Sequence, residues 1–323
     1  MSSSTSPASF RVAVLDDYQR VARSLAPWGS LGADVEVEFF HDHVADARAL
    51  VSRLSPFDAI VAMRERTPFP RAVLAELPRL RLLVTTGARN AAIDVDAARE
   101  LGVVVSGTGG LPYPTAELTW GLLLALARNI PREDRAVRAG EWQTSLGIGL
   151  SGKTLGLLGL GRLGAQVARV ALAFGMRVTA YSQNLTRERA AEHGATLLPL
   201  DELLAGADVV SIHLVLSERT RGLLGARELN LLKPGALLVN TSRGPIVEER
   251  ALIEALTSGR LAGAALDVFD TEPLPADHPL RRLPNTVLTP HLGYVTEETY
   301  RIFYRDALED IAAFRANQPV RVL

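Results

Sequence analysis

Short apolar runs alternate with segments of helical period along the chain. Phe10–Leu15 (FRVAVL), Val35–Phe40, Asp58–Met63 (DAIVAM) and Leu80–Thr85 (LRLLVT) are rich in Val, Ile and Leu, and Val103–Val105 adds a shorter run. Runs of this length with intervening helices predict parallel βαβ units. A helix is predicted near Tyr18–Leu25. The Gly- and Pro-dense stretch Ser106–Pro114 (SGTGGLPYP) then reads as a linker or hinge. Thr115–Arg138 has helical character and is apolar nearly all round from Trp120 to Ala127, which predicts burial between layers. Pro131 should end or kink it. A second series predicts strands at Thr154–Gly159, Arg177–Tyr181, Asp208–Ile212, Ala236–Asn240, Gly263–Asp267 and Thr286–Leu288, and a last helix near Glu297–Ala316. The layout is two α/β units with a hinge. One takes residues 10–111 plus 295–323, the other 112–294, and a tail over 1–9 is expected to be disordered.

The second series opens on GLLGLGRLGAQ, which holds G-x-G-x-x-G as Gly159, Gly161 and Gly164. The pattern is weak alone, but here a buried-strand run precedes it and a helical run follows. Gly159 allows the tight turn, Gly161 lets backbone approach a pyrophosphate, and Gly164 lets helix and strand pack closely. The free N–H groups of the helix start, with Arg162 and Leu163 in its first turn, suit a phosphate. A ribose-binding acid is expected roughly 20 residues on. That place is Ser182, followed by Gln183 and Asn184, with Arg187 close behind. These neutral donors and the cation lean the reading toward NADP over NAD.

Three later segments each put a polar residue just past a predicted strand: VNTSRGPIVEE with Arg243, ALDVFDTEPLP with Asp267 and Glu272, and LTPHLGY with His291. Ligands of open α/β sheets sit beyond those carboxyl ends. With the glycine motif, TTGARNAAIDVDAARE and PTAELTWGLLLALAR, these stretches resemble the D-isomer-specific 2-hydroxyacid dehydrogenases from about Leu80 to Leu323. The resemblance implies two Rossmann-like domains with a cleft between them: a flavodoxin-like substrate domain built from both chain ends and a doubly wound, parallel-sheet dinucleotide-binding domain. It implies a homodimer. It makes Arg243 the partner of a substrate carboxylate, His291 the acid–base, and Glu272 the group that orients His291. It places Asp267 near the nicotinamide carboxamide or in the same network, His213 near the adenosine, and Thr115 and Thr241 at the cofactor. The Gly87 and Ala88 amides would hold the substrate carboxylate, Arg64 would face the substrate, and Tyr294 would shape the pocket. The implied reaction is hydride transfer between NAD(P)H and a small 2-keto or 2-hydroxy acid, with reduction of glyoxylate or hydroxypyruvate favoured.

Composition narrows the alternatives. The 323 residues carry a net charge of −1, which gives no footprint for nucleic acid or an anionic membrane. Cysteine is absent, which excludes disulfides and thiolate chemistry and fits a cytoplasmic protein. No signal peptide and no membrane span is expected. His41 and His43 (HDH) look like a metal pair but lack a third ligand at suitable spacing, so they are expected at the surface and no metal is expected. Two rivals remain. One is a nucleotide-sensing corepressor-like protein on the same fold, disfavoured by the short tails. The other is a family member with an unusual reductant such as phosphite.

Overall fold

The computed structural model describes residues 9–323, so the expected tail lies, save for Ser9, outside the described residues. The chain divides into two units: the part up to Leu111 together with Thr296–Leu323, and Pro112–Val295.

In the first unit, β1 (Phe10–Val14), β2 (Val35–Phe39), β3 (Ala59–Ala62), β4 (Leu82–Thr85) and β5 (Val104–Gly107) form a five-stranded sheet in the order β2-β1-β3-β4-β5. Every pair is parallel. This is the flavodoxin-like order. The central β3 and β4 are buried at every residue, whereas the edge strand β2 alternates half-buried and exposed positions. Leu54, Phe57, Ile60, Phe69 and Leu83 lie in one core cluster. The final helix, Glu297–Arg315, buries Tyr300, Phe303, Tyr304 and Ile311 in this unit. Trp28 meets Tyr304 edge-on, with ring centroids 6.2 Å apart.

The second unit is a seven-stranded, all-parallel sheet of β6 (Thr154–Leu158), β7 (Arg177–Tyr181), β8 (Ala195–Leu197), β9 (Val209–Ile212), β10 (Leu237–Asn240), β11 (Gly263–Leu266) and β12 (Thr286–Leu288). The order is β12-β11-β10-β9-β6-β7-β8, so the chain reverses direction across the sheet between β6 and β9. The Pro114–Ala127 helix buries Trp120, Leu122, Leu123 and Leu126, as expected from its apolar circumference. The Arg162–Ala173 helix buries Gly164, Val167, Ala168 and Ala171.

Three local expectations need correction. The first helix is only Ala22–Leu25, because the Asp17 carboxylate accepts the Val21 and Ala22 N–H groups at 2.9 and 3.3 Å and Arg20 takes a left-handed φ of 58°. Pro131 does not kink one long helix. The break comes earlier, at Arg128 and Asn129 (φ 54°), and Pro131 sits in the first turn of a second helix, Ile130–Arg138, where its missing N–H costs nothing. The three-residue strand β8 was not expected, since a run as short as ATL carries no period.

Candidate active site

Register sets the stage for the second unit's chemistry. Leu158 pairs with Tyr181 and with Ile212, Ile212 with Asn240, Asn240 with Leu266, and Leu266 with Leu288. Six neighbouring strands therefore end on one level, and the loops that leave them share one rim. The glycine turn follows β6, Ser182 follows β7, His213 follows β9, Arg243 follows β10, Asp267 follows β11 and His291 follows β12. The chain reversal between β6 and β9 opens this rim to a ligand.

At the rim, His291 Nδ1 lies 2.6 Å from Glu272 Oε2. The Phe269 N–H donates to Glu272 Oε1 at 2.9 Å, which holds the carboxylate in place. Burial pushes Glu272 up, but the His291 bond and charge, the Phe269 N–H and the Arg243 charge outweigh it, so Glu272 lies below its ordinary value and is anionic at neutral pH. This anion selects the His291 tautomer with hydrogen on Nδ1 and leaves Nε2 for proton exchange. Tyr294 packs its ring edge on His291, with centroids 5.6 Å apart.

His291 sits at φ 56°, and the loop that carries it is held by buried Asp267. The Asp267 carboxylate accepts from Thr289 Oγ1 at 2.6 Å, Leu292 N at 2.7 Å and Gly293 N at 2.9 Å. Burial raises the Asp267 carboxyl despite these donors. These bonds all go to the His291 loop, so of the two expected roles the geometry favours positioning over a nicotinamide contact. Thr115 Oγ1 donates to the Gly293 carbonyl at 2.8 Å, and Thr241 meets Thr119 Oγ1 at 2.8 Å. Both expected cofactor residues thus brace the rim.

Arg243 is presented by a turn that Asn240 builds. The buried Asn240 side chain donates to the Arg243 carbonyl at 2.9 Å and accepts the Ser242 N–H at 3.0 Å. Arg243 Nη1 donates to the Ser242 carbonyl at 2.7 Å. Sequence reading missed Asn240, Thr289 and Thr119. The signal available for Asn240 was a polar residue ending a fully apolar strand.

The glycine turn fits a dinucleotide. A Cβ on Gly164 would stand 2.2 Å from the Gly159 carbonyl oxygen, and one on Gly159, which has φ 98°, would stand 2.6 Å from the His213 oxygen. Gly161 faces open space, beside the start of a 12-residue helix that no side chain caps. Those orphan N–H groups, with exposed Arg162 and half-buried Leu163 on the first turn, are what a pyrophosphate needs. His213 lies against this turn, with Nε2 2.9 Å from Ser211 Oγ, and burial lowers its pKa to about 4, so it is neutral at pH 7. Part of the residue reaches the surface, yet the ring itself is surrounded by protein atoms, which disfavours its charged form. Gly164→Ala is expected to weaken dinucleotide binding at least ~10-fold, because helix and turn must separate. Nicotinamide fluorescence titration, with circular dichroism to check the fold, measures this.

In the first unit, Arg64 and the Gly87 turn come together. Arg64 Nη1 donates to the Thr86 carbonyl at 3.2 Å and would lie 1.8 Å from a Cβ on Gly87, whose φ is 92°. One expectation is corrected here. The Gly87 N–H already donates to Thr108 Oγ1 at 2.7 Å, so it is not a ready donor for a substrate carboxylate. Ala88 is exposed. The surface placement of His41 and His43 is also corrected. Both are half-buried, with His41 Nδ1 3.0 Å from the Asp17 carbonyl and His43 Nδ1 3.1 Å from Asp16 Oδ1. The Asp16 bond raises His43 above its ordinary pKa, against burial. Among the described residues no group of three His, Asp or Glu side chains is arranged to hold a metal, and no helix is long and apolar enough to cross a membrane.

The family model for the D-isomer specific 2-hydroxyacid dehydrogenase, NAD binding domain, matches residues 120–293, which include the six strand-end loops of the rim just described. The chain belongs to the D-isomer specific 2-hydroxyacid dehydrogenases. A glyoxylate reductase from Aeropyrum pernix is 45% identical over 252 residues, 75% of each chain. A D-3-phosphoglycerate dehydrogenase from Archaeoglobus fulgidus is 39% identical over 84% of this chain and 52% of its own, so this dehydrogenase spans about half of that relative. The crystal structure of a phosphoglycerate oxidoreductase from Vibrio cholerae superposes with a TM-score of 0.91 at 39% identity, covering 95% of this chain and 99% of that one. The dehydrogenase is thus an α/β oxidoreductase with a nicotinamide-cofactor domain.

Proposed function

We propose that this dehydrogenase is an NADP-dependent reductase of small 2-keto acids of the glyoxylate and hydroxypyruvate class. The observation that carries the reaction is the Glu272–His291 pair, 2.6 Å apart, on the rim that also presents Arg243. The absence of a carboxylate at Ser182 and Gln183, where an NAD ribose would want one, carries the cofactor choice.

A reduced nicotinamide dinucleotide, held by the glycine turn and the first turn of the Arg162–Ala173 helix, would supply the hydride. Arg243 pairs its planar fork with the substrate carboxylate and draws electron density from the keto oxygen. His291 gives its Nε2 proton to that oxygen as negative charge develops, and in the reverse direction it removes the hydroxyl proton. Glu272 keeps the proton-bearing imidazole oriented through its bond to Nδ1. Asp267 and Thr115 fix the His291 loop through Leu292 and Gly293, so the ring need not search for its position. Rates of nicotinamide oxidation with NADPH and NADH across a 2-keto acid panel test the reading. Turnover of glyoxylate or hydroxypyruvate, faster with NADPH at low concentration, is expected. No turnover of any 2-keto acid by folded, cofactor-binding protein refutes it.

The assembly belongs to the same proposal: a cytoplasmic homodimer. Its support is the exposure of Val137, Trp142, Leu146 and Ile148 in one stretch of the second unit, with Leu146 96% exposed. Apolar side chains grouped in this way mark interaction surfaces. Replacing Trp142 and Leu146 together by Asp is expected to convert a dimer to a monomer in light scattering, and a wild-type monomer overturns this part.

A further inference from the structure

Nothing in the ribose reading accounts for Arg219. It lies in the loop that leaves β9, on the exposed side of the rim, and its Nη1 donates to Gln183 Oε1 at 2.9 Å. Gln183 is the second residue past β7, so a side chain 36 positions downstream has been brought to the point where the ribose-binding acid is missing. Strand order explains how. β9 and β7 flank β6 on either side, and their ends are level, so the two loops meet across the glycine turn.

The loop is built to hold that position. The Thr220 hydroxyl donates to the Val215 carbonyl at 2.7 Å and accepts the Ser217 N–H at 2.8 Å, and the Arg221 N–H reaches the Ser217 carbonyl at 2.9 Å. Arg219 therefore projects from a closed turn. Among the described residues it makes no ion pair, and its hydrogen-bond partner is a neutral amide. Two carboxylates are near in sequence. Glu218 precedes Arg219 in the chain. Glu188 is held below its ordinary pKa by its own N–H, the Thr186 hydroxyl and Arg187, which occupies it at its own helix start. An exposed guanidinium without a counter-ion, kept at the ribose end of a dinucleotide cradle, suits a dianionic phosphate. Its donor fork matches two phosphate oxygens at once.

From this we infer that Arg219 is the specificity-determining residue for the 2′-phosphate of the cofactor, with Ser182 and Gln183 as neutral donors beside it. The inference rests on the NADP reading above. On binding, the Arg219 fork turns from the Gln183 amide to the phosphate, and the amide is left free to offer its NH₂ to the same group.

Equilibrium binding separates the two claims without any turnover. The probes are adenosine 2′,5′-bisphosphate and adenosine 5′-monophosphate, which differ only in the 2′-phosphate, measured by calorimetry on wild type, Arg219→Gln and Arg219→Lys. Wild type is expected to bind the bisphosphate at least ~10-fold tighter, as a charge-assisted pair of bonds provides. Arg219→Gln should lose most of that ratio while its affinity for the monophosphate stays within about twofold, which shows that the fold and cradle are intact. Arg219→Lys should recover part of it, since a point charge replaces a fork. A ratio in Arg219→Gln equal to wild type overturns the assignment and leaves the NADP reading standing. Wild type without preference for the bisphosphate overturns both.

Discussion

His291→Asn is expected to lower kcat by about 10³-fold while NADPH binds with its wild-type affinity. General acid–base catalysis by a positioned side chain contributes about 10²–10⁴-fold, and Asn keeps the polarity and much of the volume but cannot exchange a proton. The loop should survive the change, because Asp267 holds it through Thr289 and the Leu292 and Gly293 N–H groups rather than through the imidazole. Glu272→Gln is the companion test. It keeps a hydrogen bond to Nδ1 but removes the negative charge beside the ring, so a smaller loss of about 10-fold is expected. Steady-state rates, with fluorescence titration of NADPH on the same samples, check both. A His291→Asn enzyme within about tenfold of wild type would mean that another group moves the proton.

Arg243→Gln is the second large effect. The variant loses the fork that pairs with a carboxylate and the positive charge that steadies the developing alkoxide. Truncating one partner of a buried, hydrogen-bonded charge pair costs about 2–5 kcal/mol, so kcat/KM for a 2-keto acid should fall by about 10²–10³-fold. Both parameters should change, KM rising and kcat falling, because the carboxylate is bound in the ground state and the oxyanion only in the transition state. Arg243→Lys should recover little, since a point charge does not reproduce two parallel bonds. The same substitution to Gln removes the Arg243 charge that helps keep Glu272 ionised, so the Glu272 carboxyl should rise toward its ordinary value.

Much of this site was legible in the order of residues alone. Gly159, Gly161 and Gly164 announce themselves by spacing, because protein atoms leave no room for a side chain at Gly159 and Gly164 and the pyrophosphate approaches the backbone at Gly161. Arg243 and His291 could be picked out as candidates because each stands just past a strand, Glu272 lies further along the loop that leaves β11, and the level ends of a parallel sheet turn those sequence positions into a shared place. What was not legible depends on contacts across the chain. Asp267 could be read as a nicotinamide contact or as part of the His291 network, and the register of β11 beside β12 shows its carboxylate engaged by the His291 loop. Gly87 looked like a carboxylate donor, but Thr108, brought alongside by the pairing of β4 with β5, takes its N–H. Arg219 had no local signal, since its meaning lies in Gln183, 36 residues away. The short first helix failed for a local reason: the Asp17 side chain took up the N–H groups that a longer helix would have used.

A single turnover puts the central claim to its most direct test. Enzyme in excess is loaded with NADPH, mixed rapidly with hydroxypyruvate, and followed by the loss of nicotinamide absorbance in wild type, His291→Asn and Arg243→Gln. In wild type the absorbance should fall in one phase to completion, and both variants should show that phase slowed by about 10² or more, matching the transition-state roles given to the two side chains. Equal single-turnover rates in wild type and both variants, all with cofactor bound, would contradict the account.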